Sequence, residues 1–580
     1  MKFQKREKLL IVFCRCVCIP CLRHGNACAF ATMTAMENEE QSTEQNAERQ
    51  ETAKNVAKST AIMSICTLVS RMTGFVRTWA MAFALGNTIM AAGFSLANNL
   101  PNMIYELVAG GVLSTAFLPI YLQQRNQKGQ EAGNAYASNL LSICVVVLGI
   151  ISLLASIFAP QVMVTQSLFS SASDETVNAA VWLFRFLAFE VLFYGVSAVF
   201  SGILNAQREF FWPAISSVFM NIVAIIGFFG YPFISAADAS LGTTWLGGTM
   251  LLSIAVMAFI QIPALAKSGV KLRPLVDFNG EGFKDTIKLA LPAIACTAIN
   301  LVALSFMNSC ALVVSDTGPS SVSYAWMWYQ FPYGVLCVAL STALFTELSD
   351  CASRKDWARF REHLLAGLRT TWLLIIPMAA MVFACADQLI GLYASGRFTS
   401  DNIAPIAVLL RGWALCLPAY AAYMFVYRAY SAMKDMKTVA ICNLCLTVIQ
   451  VLGYMLFTGV FSDVFSFGLL GLSMSDLIFY CLMLATLLLI LRNRAKDLDL
   501  HSLIAPVVKV SLASVVGCLV AMFVAGLIDF ALNPSTTLQA LGSLVVCGVV
   551  GLAVIIALCE LMHINEIRNM LFALKRRVVK

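Results

Sequence analysis

Long apolar runs, separated by short polar segments, extend along the chain from residue 59 to residue 562. A helix needs about 20 mostly apolar residues to cross the hydrocarbon core of a bilayer. Fourteen runs reach that length, at 59–85, 90–122, 136–159, 177–204, 214–233, 244–266, 286–314, 321–346, 362–386, 403–430, 438–458, 464–491, 503–530 and 536–562. Because the runs are continuous rather than alternating apolar and polar, they predict helices and not the strands of a barrel. The pattern therefore predicts an all-α polytopic membrane protein with 14 transmembrane helices.

The composition agrees with this pattern and excludes a soluble protein. Of the 580 residues, 59% are hydrophobic and 12% are charged, and the mean hydropathy is +0.79. A soluble protein has roughly a quarter of its residues charged. With about half that share, the chain has too few charges to solvate the surfaces of several globular domains.

Basic residues in the loops indicate the orientation. When the loops are numbered from a cytoplasmic N-terminus, 23 Lys and Arg residues fall in the inner connections and the C-terminal tail, and the outer loops contain one, Arg397. Because cytoplasmic loops are enriched in Lys and Arg, this alternation predicts a multi-pass protein of the cell membrane with both termini in the cytoplasm. Topology thereby explains the net charge of +7, and no nucleic-acid partner is expected.

The first 58 residues differ from the rest. Residues 37–58 are polar, acidic and rich in alanine, which predicts a disordered cytoplasmic leader over 1–58. The basic N-terminus followed by a short apolar run has the features of a secretory signal. We favour instead an upstream start, with residues 1–32 as an artefact and Met33 or Met36 as the initiator.

The cysteines and the loops give no sign of a metal or cofactor. Cys18-Ile-Pro-Cys21 lies in a dense N-terminal cysteine cluster, but no second pair or histidine set follows that would complete a zinc site. No Gly-x-x-x-x-Gly-Lys-Ser/Thr phosphate loop occurs anywhere in the chain. We therefore expect no metal, no cofactor and no bound nucleotide.

Three short matches at nearly the same offset indicate an internal duplication. The matched pairs are Leu113–Phe117 with Leu340–Leu344, Leu100–Asn102 with Phe331–Tyr333, and Asn205–Glu209 with Ser431–Asp435. We predict an N-lobe with spans 1–6 over 59–268, a C-lobe with spans 7–12 over 269–492, and a C-terminal helix pair with a basic tail over 493–580. Parallel repeats of this kind typically flank a central cavity and rock about it. The alternative is chance similarity among apolar helices.

The first span carries two arginines. Arg71 lies near its middle and Arg77 follows six residues later, so the two side chains point about 120° apart around the helix. A charge at that depth is costly unless it faces a cavity or a partner. Arginine suits phosphate because its planar fork grips two oxygens and stays charged. We interpret Arg71 and Arg77 as substrate-binding residues; the alternative is a structural ion pair with an acid on a neighbouring helix.

The second span has the features of a movable gate. Glu106 is the obvious acid in the second span, and Asn102 adds a polar edge, so both are candidate substrate-binding residues. Proline frees a backbone carbonyl and kinks a helix, and paired glycines loosen it. The expected gating residues are Gly74, Pro101, Gly110, Gly111 and Pro332. The alternative is that these polar groups only join packed helices.

Further polar groups enter the predicted spans. Arg185 and Glu190 of the fourth span are expected to pair with each other across the N-half. The others are Asn300, Asn308, Gln330, Arg369, Arg411, Asp476 and Lys509. For this set we favour structural partners over contact with a substrate.

Several segments resemble a known family when they are taken together, in this order and spacing. They are Ser70–Arg77, Ala97–Asn102, Gly110–Ser114, Leu204–Arg208, Gln330–Gly334 and Tyr427–Tyr430. On these residues the chain, over about 59–580, resembles the MurJ/MviN family of lipid II flippases in the multidrug/oligosaccharidyl-lipid/polysaccharide exporter superfamily. Tyr105-Glu106 and Gln330–Tyr333 are similar to a divergent Gram-positive branch of that family.

The resemblance implies a fourteen-helix flippase that moves undecaprenyl-pyrophosphate-linked disaccharide-pentapeptide (lipid II) outward for peptidoglycan synthesis and cell shape. It implies that Arg71 and Arg77 match two cavity arginines, that the headgroup binds between the lobes, and that the last two spans help to form a groove for the polyprenyl tail. The chain departs from better-known members at three positions, where Tyr105, Ala92 and Met327 replace charged residues. These departures leave open whether the cargo is the same.

Three functions are compatible with the sequence. The favoured one is lipid II flipping by alternating access, with the bilayer and lipid II as partners, and cell-wall synthesis or division proteins as further candidates. The second is an exporter of drugs or of another polyprenyl-linked polysaccharide on the same fold, although a cation-drug exporter would prefer acids in the cavity. The third is an enzyme acting on polyprenyl phosphates, for which Asp497, Asp499 and His501 are the only candidates; a solvated linker explains them better.

Overall fold

The computed structural model describes residue 66 and residues 68–106, 117–169, 174–207, 209–280, 282–495, 499–532 and 537–563. The chain divides into two units, residues 1–66 and residues 67–580, and only Cys66 of the first is described. The predicted leader over 1–58, its cysteine cluster and the tail after residue 563 lie outside the described residues. In the described ranges the second unit consists of helices and turns without a strand, which confirms the all-α prediction.

The helices before residue 268 form a first group. They are α1 (68–85), α2 (Ile89–Glu106), α3 (Leu118–Lys128), α4 (Gln130–Ile157), α5 (Ala159–Val164), α6 (Asp174–Leu187), α7 (Glu190–Ala206), α8 (Phe211–Ala237), α9 (Ala239–Phe259) and α10 (Ile262–Lys267).

The helices after residue 282 follow in a second group and a final pair. The second group is α11 (Phe283–Val314), α12 (Gly318–Pro332), the π-helical segment Tyr333–Cys337, α13 (Val338–Ser353), α14 (Trp357–Ala384), α15 (Ala386–Gly391), α16 (Ile403–Ala432), α17 (Met436–Phe457) and α18 (Leu470–Ala495). The pair is α19 (His501–Leu532) and α20 (Thr537–Leu561).

Aspartates start several of these helices. The first backbone N–H groups of a helix lack intrahelical partners, and a side-chain oxygen at the N-cap can accept from them. Asp238 accepts from the N–H groups of Ser240 (2.7 Å) and Leu241 (3.2 Å) at the start of α9. Asp356 and Asp435 cap α14 and α17 in the same way.

Eleven segments of the described chain are long and apolar enough to cross a membrane, which confirms a polytopic membrane protein. The predicted first, second and eighth spans are helical as well but are not among the eleven. They correspond to α1, to α2 and to the α12–α13 pair. Arg71 and Arg77 interrupt the apolar run of α1, and the π-helical segment interrupts the α-helix of the eighth span.

Apolar side chains cover the outside of the helices and also fill the interior. Leu153 on α4 and Phe523 on α19 are 51% and 68% exposed, as expected of surfaces that contact lipid rather than water. Trp413, Tyr324 and Tyr329 are fully buried in the main core, to which α12 and α16 contribute. The pair α19–α20 packs on α14 and α15 at the edge of the bundle.

Candidate functional site

Helix α1 places both predicted arginines beside other helices while leaving them partly accessible. Arg71 and Arg77 are half-buried, and six residues separate them by about 9 Å along the axis. Behind them, the Asn221 Nδ2 of α8 donates to Thr73 Oγ1 (3.0 Å) and to the Ser70 carbonyl (3.3 Å). These bonds fix α1 against α8 and so determine the direction in which its arginines point.

Around Arg77 the structure gathers side chains from α2 and α7. Glu190, the first residue of α7, interacts electrostatically with Arg77. One turn later, the Tyr194 hydroxyl donates to Asn102 Oδ1 over 2.7 Å, and the rings of Tyr194 and Tyr105 are 4.4 Å apart. Three helices therefore meet here through a cation, a carboxylate and two phenol rings.

Arg71 contacts the π-helical segment after α12. A Cβ at Gly334 would overlap the Arg71 guanidinium, with Nη2 only 2.9 Å away. The neighbouring Tyr333 interacts electrostatically with both Arg71 and Arg428 of α16. Between the two α1 arginines, Phe75 packs edge-on against Trp328 of α12, with ring centroids 5.0 Å apart. A third arginine therefore lies close to the same surface, contributed by the second helix group.

Within the residues that the structure describes, neither Arg71 nor Arg77 donates a hydrogen bond or forms an ion pair. The predicted alternative, a structural ion pair with a neighbouring acid, is thus not observed among the described acids. An uncompensated cation at this depth is costly unless water or a ligand reaches it. The half-buried positions of both side chains are consistent with such access.

The other predicted intramembrane polar groups mostly have protein partners. Arg411 pairs with Asp387, and Lys509 Nζ donates to the Met562 carbonyl over 3.2 Å. Asp476 accepts from Trp413 Nε1 (2.8 Å), from Gln450 Nε2 (2.8 Å) and from Tyr454. The amide contacts are Asn443 to Asn300 at 3.1 Å, Asn308 to Gln166 at 2.9 Å, and Gln330 to Tyr420 at 3.3 Å.

A set of polar contacts joins the two helix groups at one face of the bundle. We call it the latch, and it comprises Phe83, Gly86, Asn87, Ser320, Ser321, Tyr324 and Arg397. Its shortest bonds are Tyr324 hydroxyl to Gly86 carbonyl (2.5 Å), Ser320 hydroxyl to Asn87 Oδ1 (2.5 Å), Asn87 Nδ2 to Ser321 Oγ (3.1 Å) and Arg397 N–H to Phe83 carbonyl (3.0 Å).

Glycine is required within the latch. Gly86 has φ +66°, and a Cβ there would lie 2.8 Å from the Arg397 carbonyl carbon. A side chain would therefore be strained and would separate the two backbones. At the same face, Gln166 Nε2 donates to Ser305 Oγ (2.6 Å) and the Phe169 N–H donates to Ser309 Oγ (2.8 Å).

The remaining predicted site residues fall in different environments. Asn102 has both amide atoms engaged, because it also donates to the Asn98 carbonyl over 2.9 Å. Pro101 is buried inside α2, which continues through it to Glu106. The Glu106 side chain and residues Gly110 and Gly111 lie outside the described residues.

The other two predicted gating residues lie at helix contacts. A Cβ at Gly74 would meet Asn221 at an ordinary 3.8 Å, so packing does not demand glycine there. Pro332 is buried at the end of α12, immediately before the π-helical segment. Single-turn π segments frequently occur at functional sites. Among the departures from the family, Ala92 is fully buried in the core.

The predicted pairing of Arg185 with Glu190 is wrong. The fourth span breaks between α6 and α7, and Arg185 is exposed with its guanidinium 5.9 Å from the Trp182 ring. Glu190 begins the next helix and is buried. Sequence reasoning misses Arg428, which is one of the 23 basic residues assigned to the inner connections and the tail; its place in the segment Tyr427–Tyr430 is the available signal.

Comparison with known proteins identifies the family of the chain. A family model described as "Lipid II flippase MurJ" matches residues 81–549; Arg71 and Arg77 precede that range. The "Lipid II flippase MurJ" of Burkholderia cenocepacia is 27% identical over 390 residues, which are 66% of this chain and 75% of that protein. The "Probable lipid II flippase MurJ" of Buchnera aphidicola subsp. Schizaphis graminum is 25% identical over 386 residues, 66% of this chain and 74% of that protein.

Solved structures share the fold. A lipid II flippase MurJ in an inward closed conformation matches with a TM-score of 0.68 and 22% identity, covering 87% of this chain and 100% of that one. An inward-facing MATE family multidrug transporter matches with a TM-score of 0.64 and 16% identity, covering 76% and 99%.

Proposed function

The chain belongs to the MurJ family of lipid II flippases, and we propose that it moves lipid II from the inner to the outer leaflet of the cell membrane. It is a transporter rather than an enzyme. The observation that carries the proposal is the contrast between Arg71 and Arg77, which lack ion pairs among the described residues, and polar groups such as Asp476, which have partners. Fixed cations held at this depth suit an anionic cargo.

The pyrophosphate would bind where the two helix groups face each other. Arg71 and Arg77 approach it from α1, and Arg428 approaches it from α16 near the π-helical segment. Guanidinium groups grip phosphate oxygens in pairs through charge-assisted hydrogen bonds. Contributions from both helix groups mean that a bound headgroup stabilises their approach to each other, as a rocking mechanism requires.

The latch supports an inward-facing assignment of the described conformation. By the distribution of Lys and Arg in the loops, the latch lies at the outer face and both termini lie in the cytoplasm. Its bonds join the predicted N-lobe (59–268) to the predicted C-lobe (269–492) on that side. The headgroup would therefore enter from the cytoplasmic side, and breaking the latch would release it outside.

We further propose that α1, α2 and α12–α13 cross the membrane too, which gives fourteen spans. The second and eighth spans occupy corresponding positions in the two predicted lobes, and both contain a proline. Interrupted helices at matched positions of duplicated halves commonly border the binding site of a transporter. The same helices carry Asn102, Tyr105 and Gly334 toward the arginines.

An exporter of drugs or of another polyprenyl-linked polysaccharide on the same fold is not favoured. MATE transporters share the architecture, but an exporter of cationic drugs needs acids facing its cavity. The helix α1 presents two arginines instead. Partnership with cell-wall synthesis or division proteins stays a prediction.

The test is complementation of a cell depleted of its own lipid II flippase. Arg71→Ala and Arg77→Ala should each abolish growth and exposure of lipid II at the outer face, because each removes a phosphate contact. Arg185→Ala is the matched control, since its side chain is exposed and its guanidinium lies over the Trp182 ring. Immunoblotting of membranes must show equal amounts of all variants. Normal growth of both cavity variants would refute the site.

A further inference from the structure

Two buried aromatic donors lack hydrogen-bond partners between the α1 arginines and the latch. Trp328 is 9% exposed and Tyr393 is fully buried, and neither Trp328 Nε1 nor the Tyr393 hydroxyl has a partner among the described residues. Buried indole and phenol groups usually find one. Trp413 Nε1 donates to Asp476 over 2.8 Å, and the Tyr430 hydroxyl donates to a backbone carbonyl over 2.8 Å. The two unpartnered donors are therefore an exception that needs a physical reason.

Both donors belong to one aromatic cluster that joins the two helix groups. The ring of Phe75 lies 5.0 Å from that of Trp328 and 6.3 Å from that of Tyr393, and the Trp328 and Tyr393 rings are 6.3 Å apart. Trp328 belongs to α12 and Tyr393 follows α15, whereas Phe75 comes from α1 in the first helix group. Phe75 therefore separates from the two donors when the helix groups move apart.

The cluster lies between the arginines and the latch. Along α12, Trp328 is about 6 Å from the latch residue Tyr324 and about 9 Å from Gly334, where Arg71 makes its contact. On α1, Phe75 follows Arg71 by one turn in the direction of the latch. A headgroup that leaves the arginines through an open latch therefore passes these donors.

We propose that Trp328 Nε1 and the Tyr393 hydroxyl form a second, uncharged headgroup subsite, which binds the sugars of the cargo once the latch opens. Opening carries Phe75 away with α1 and uncovers the two donors and their rings. Sugars have many neutral oxygen acceptors and an apolar C–H face, which suit neutral donors set in aromatic rings. The phosphates, by contrast, match the charged planar fork of arginine. This inference rests on the proposed function and assigns a recognition site to one part of lipid II.

The absence of a partner in the described conformation gives the first measurement. Tyr393→Phe removes the hydroxyl and keeps the ring. Since no hydrogen bond is lost and an unpaired buried donor is unfavourable, the unfolding temperature of the purified protein should stay unchanged or rise. Ser152→Ala removes another buried hydroxyl without a partner, on α4, and is the matched control. It should behave in the same way.

The second measurement is binding in nanodiscs with the latch held apart. Gly86→Ala provides this state, because its Cβ would overlap the Arg397 backbone. In that background Tyr393→Phe and Trp328→Phe should each weaken the binding of lipid II about two- to tenfold, the contribution of one neutral hydrogen bond. Binding of undecaprenyl pyrophosphate, which has no sugar, should stay unchanged, and Ser152→Ala should alter neither. In the depleted cell, Tyr393→Phe alone should lower the exposure of lipid II several-fold at an equal amount of membrane protein.

Several outcomes would overturn the subsite. Unchanged lipid II binding by Tyr393→Phe, or an equal loss for both ligands, contradicts recognition of the sugars. A lower unfolding temperature of Tyr393→Phe shows that the hydroxyl already has a partner. Arg71→Ala separates the two proposals: if it abolishes binding of both ligands while Tyr393→Phe has no effect, the proposed function stands and the subsite fails. If the wild type binds neither ligand, both proposals are overturned.

Discussion

A methyl group at Gly334 would occupy the space of the Arg71 guanidinium. The Cβ atom would overlap Nη1 and would lie 2.5 Å from Cζ, whereas nonbonded heavy atoms prefer about 3.5 Å or more. In Gly334→Ala the guanidinium must therefore move by about 1.5 Å. Because it is the end of a flexible side chain, it can swing away without disturbing the backbone of the π-helical segment.

This displacement should separate transport from stability. Losing one charge-assisted hydrogen bond to the headgroup costs about 1.5–3 kcal/mol, which weakens lipid II binding by at least about tenfold. Alanine is favoured over glycine in helices by about 1 kcal/mol, so the thermal stability of the purified protein should stay unchanged or rise.

Two measurements on one preparation decide the outcome. Lipid II binding and the unfolding temperature of Gly334→Ala are compared with those of Gly248→Ala, because a Cβ at Gly248 meets nothing within 4 Å. The control should bind normally. Normal binding by Gly334→Ala would refute the placement of Arg71, and a large fall in unfolding temperature would refute the claim that the side chain yields at low cost.

Two further predictions concern the latch and the buried acid. Asn87→Cys combined with Ser321→Cys should form a disulfide that blocks export until it is reduced. The control, Asn87→Cys combined with Ser323→Cys, should not block export. Export by the oxidised Asn87→Cys and Ser321→Cys variant would contradict a moving latch. Asp476→Ala should destabilise the purified protein by at least about 3 kcal/mol, because three buried donors lose their acceptor. Asp401→Ala, at an exposed site, is the control and should not destabilise the protein. Equal unfolding temperatures for Asp476→Ala and the wild type would contradict the role given to Asp476.

The pattern of apolar runs was sufficient to predict the helices. All fourteen predicted segments overlap described helices, because a span of about 20 apolar residues is a local property of the sequence. Breaks within spans were not predictable in this way. The fourth span divides before Glu190. Pro101 and Pro332 are matched in the duplication but have different effects. Helix α2 continues through Pro101, whereas a π-helical segment follows Pro332.

The candidate site was predicted in part, for a related physical reason. Arg71 and Arg77 are recognisable because a charge inside an apolar run is unusual. Gly334 and Tyr194 carry no such signal, since their roles depend on contacts with distant segments of the chain. Arg428 lies near the end of its span, where a basic residue ordinarily reflects topology, so only the structure brings it near Tyr333.

The strength of the latch is consistent with a gate driven by cargo. The hydrogen bonds of the latch, and those of Gln166 and Phe169, join uncharged atoms of the two helix groups. Among the described residues no ion pair joins the two helix groups there. Each such bond contributes about 0.5–1.5 kcal/mol because water replaces it on opening, so the whole set contributes on the order of 5 kcal/mol. Shifting a two-state equilibrium from 1:99 to 99:1 requires about 5.5 kcal/mol of differential binding. On the proposed function, a headgroup held by Arg71, Arg77 and Arg428 would supply that amount through a few charge-assisted bonds.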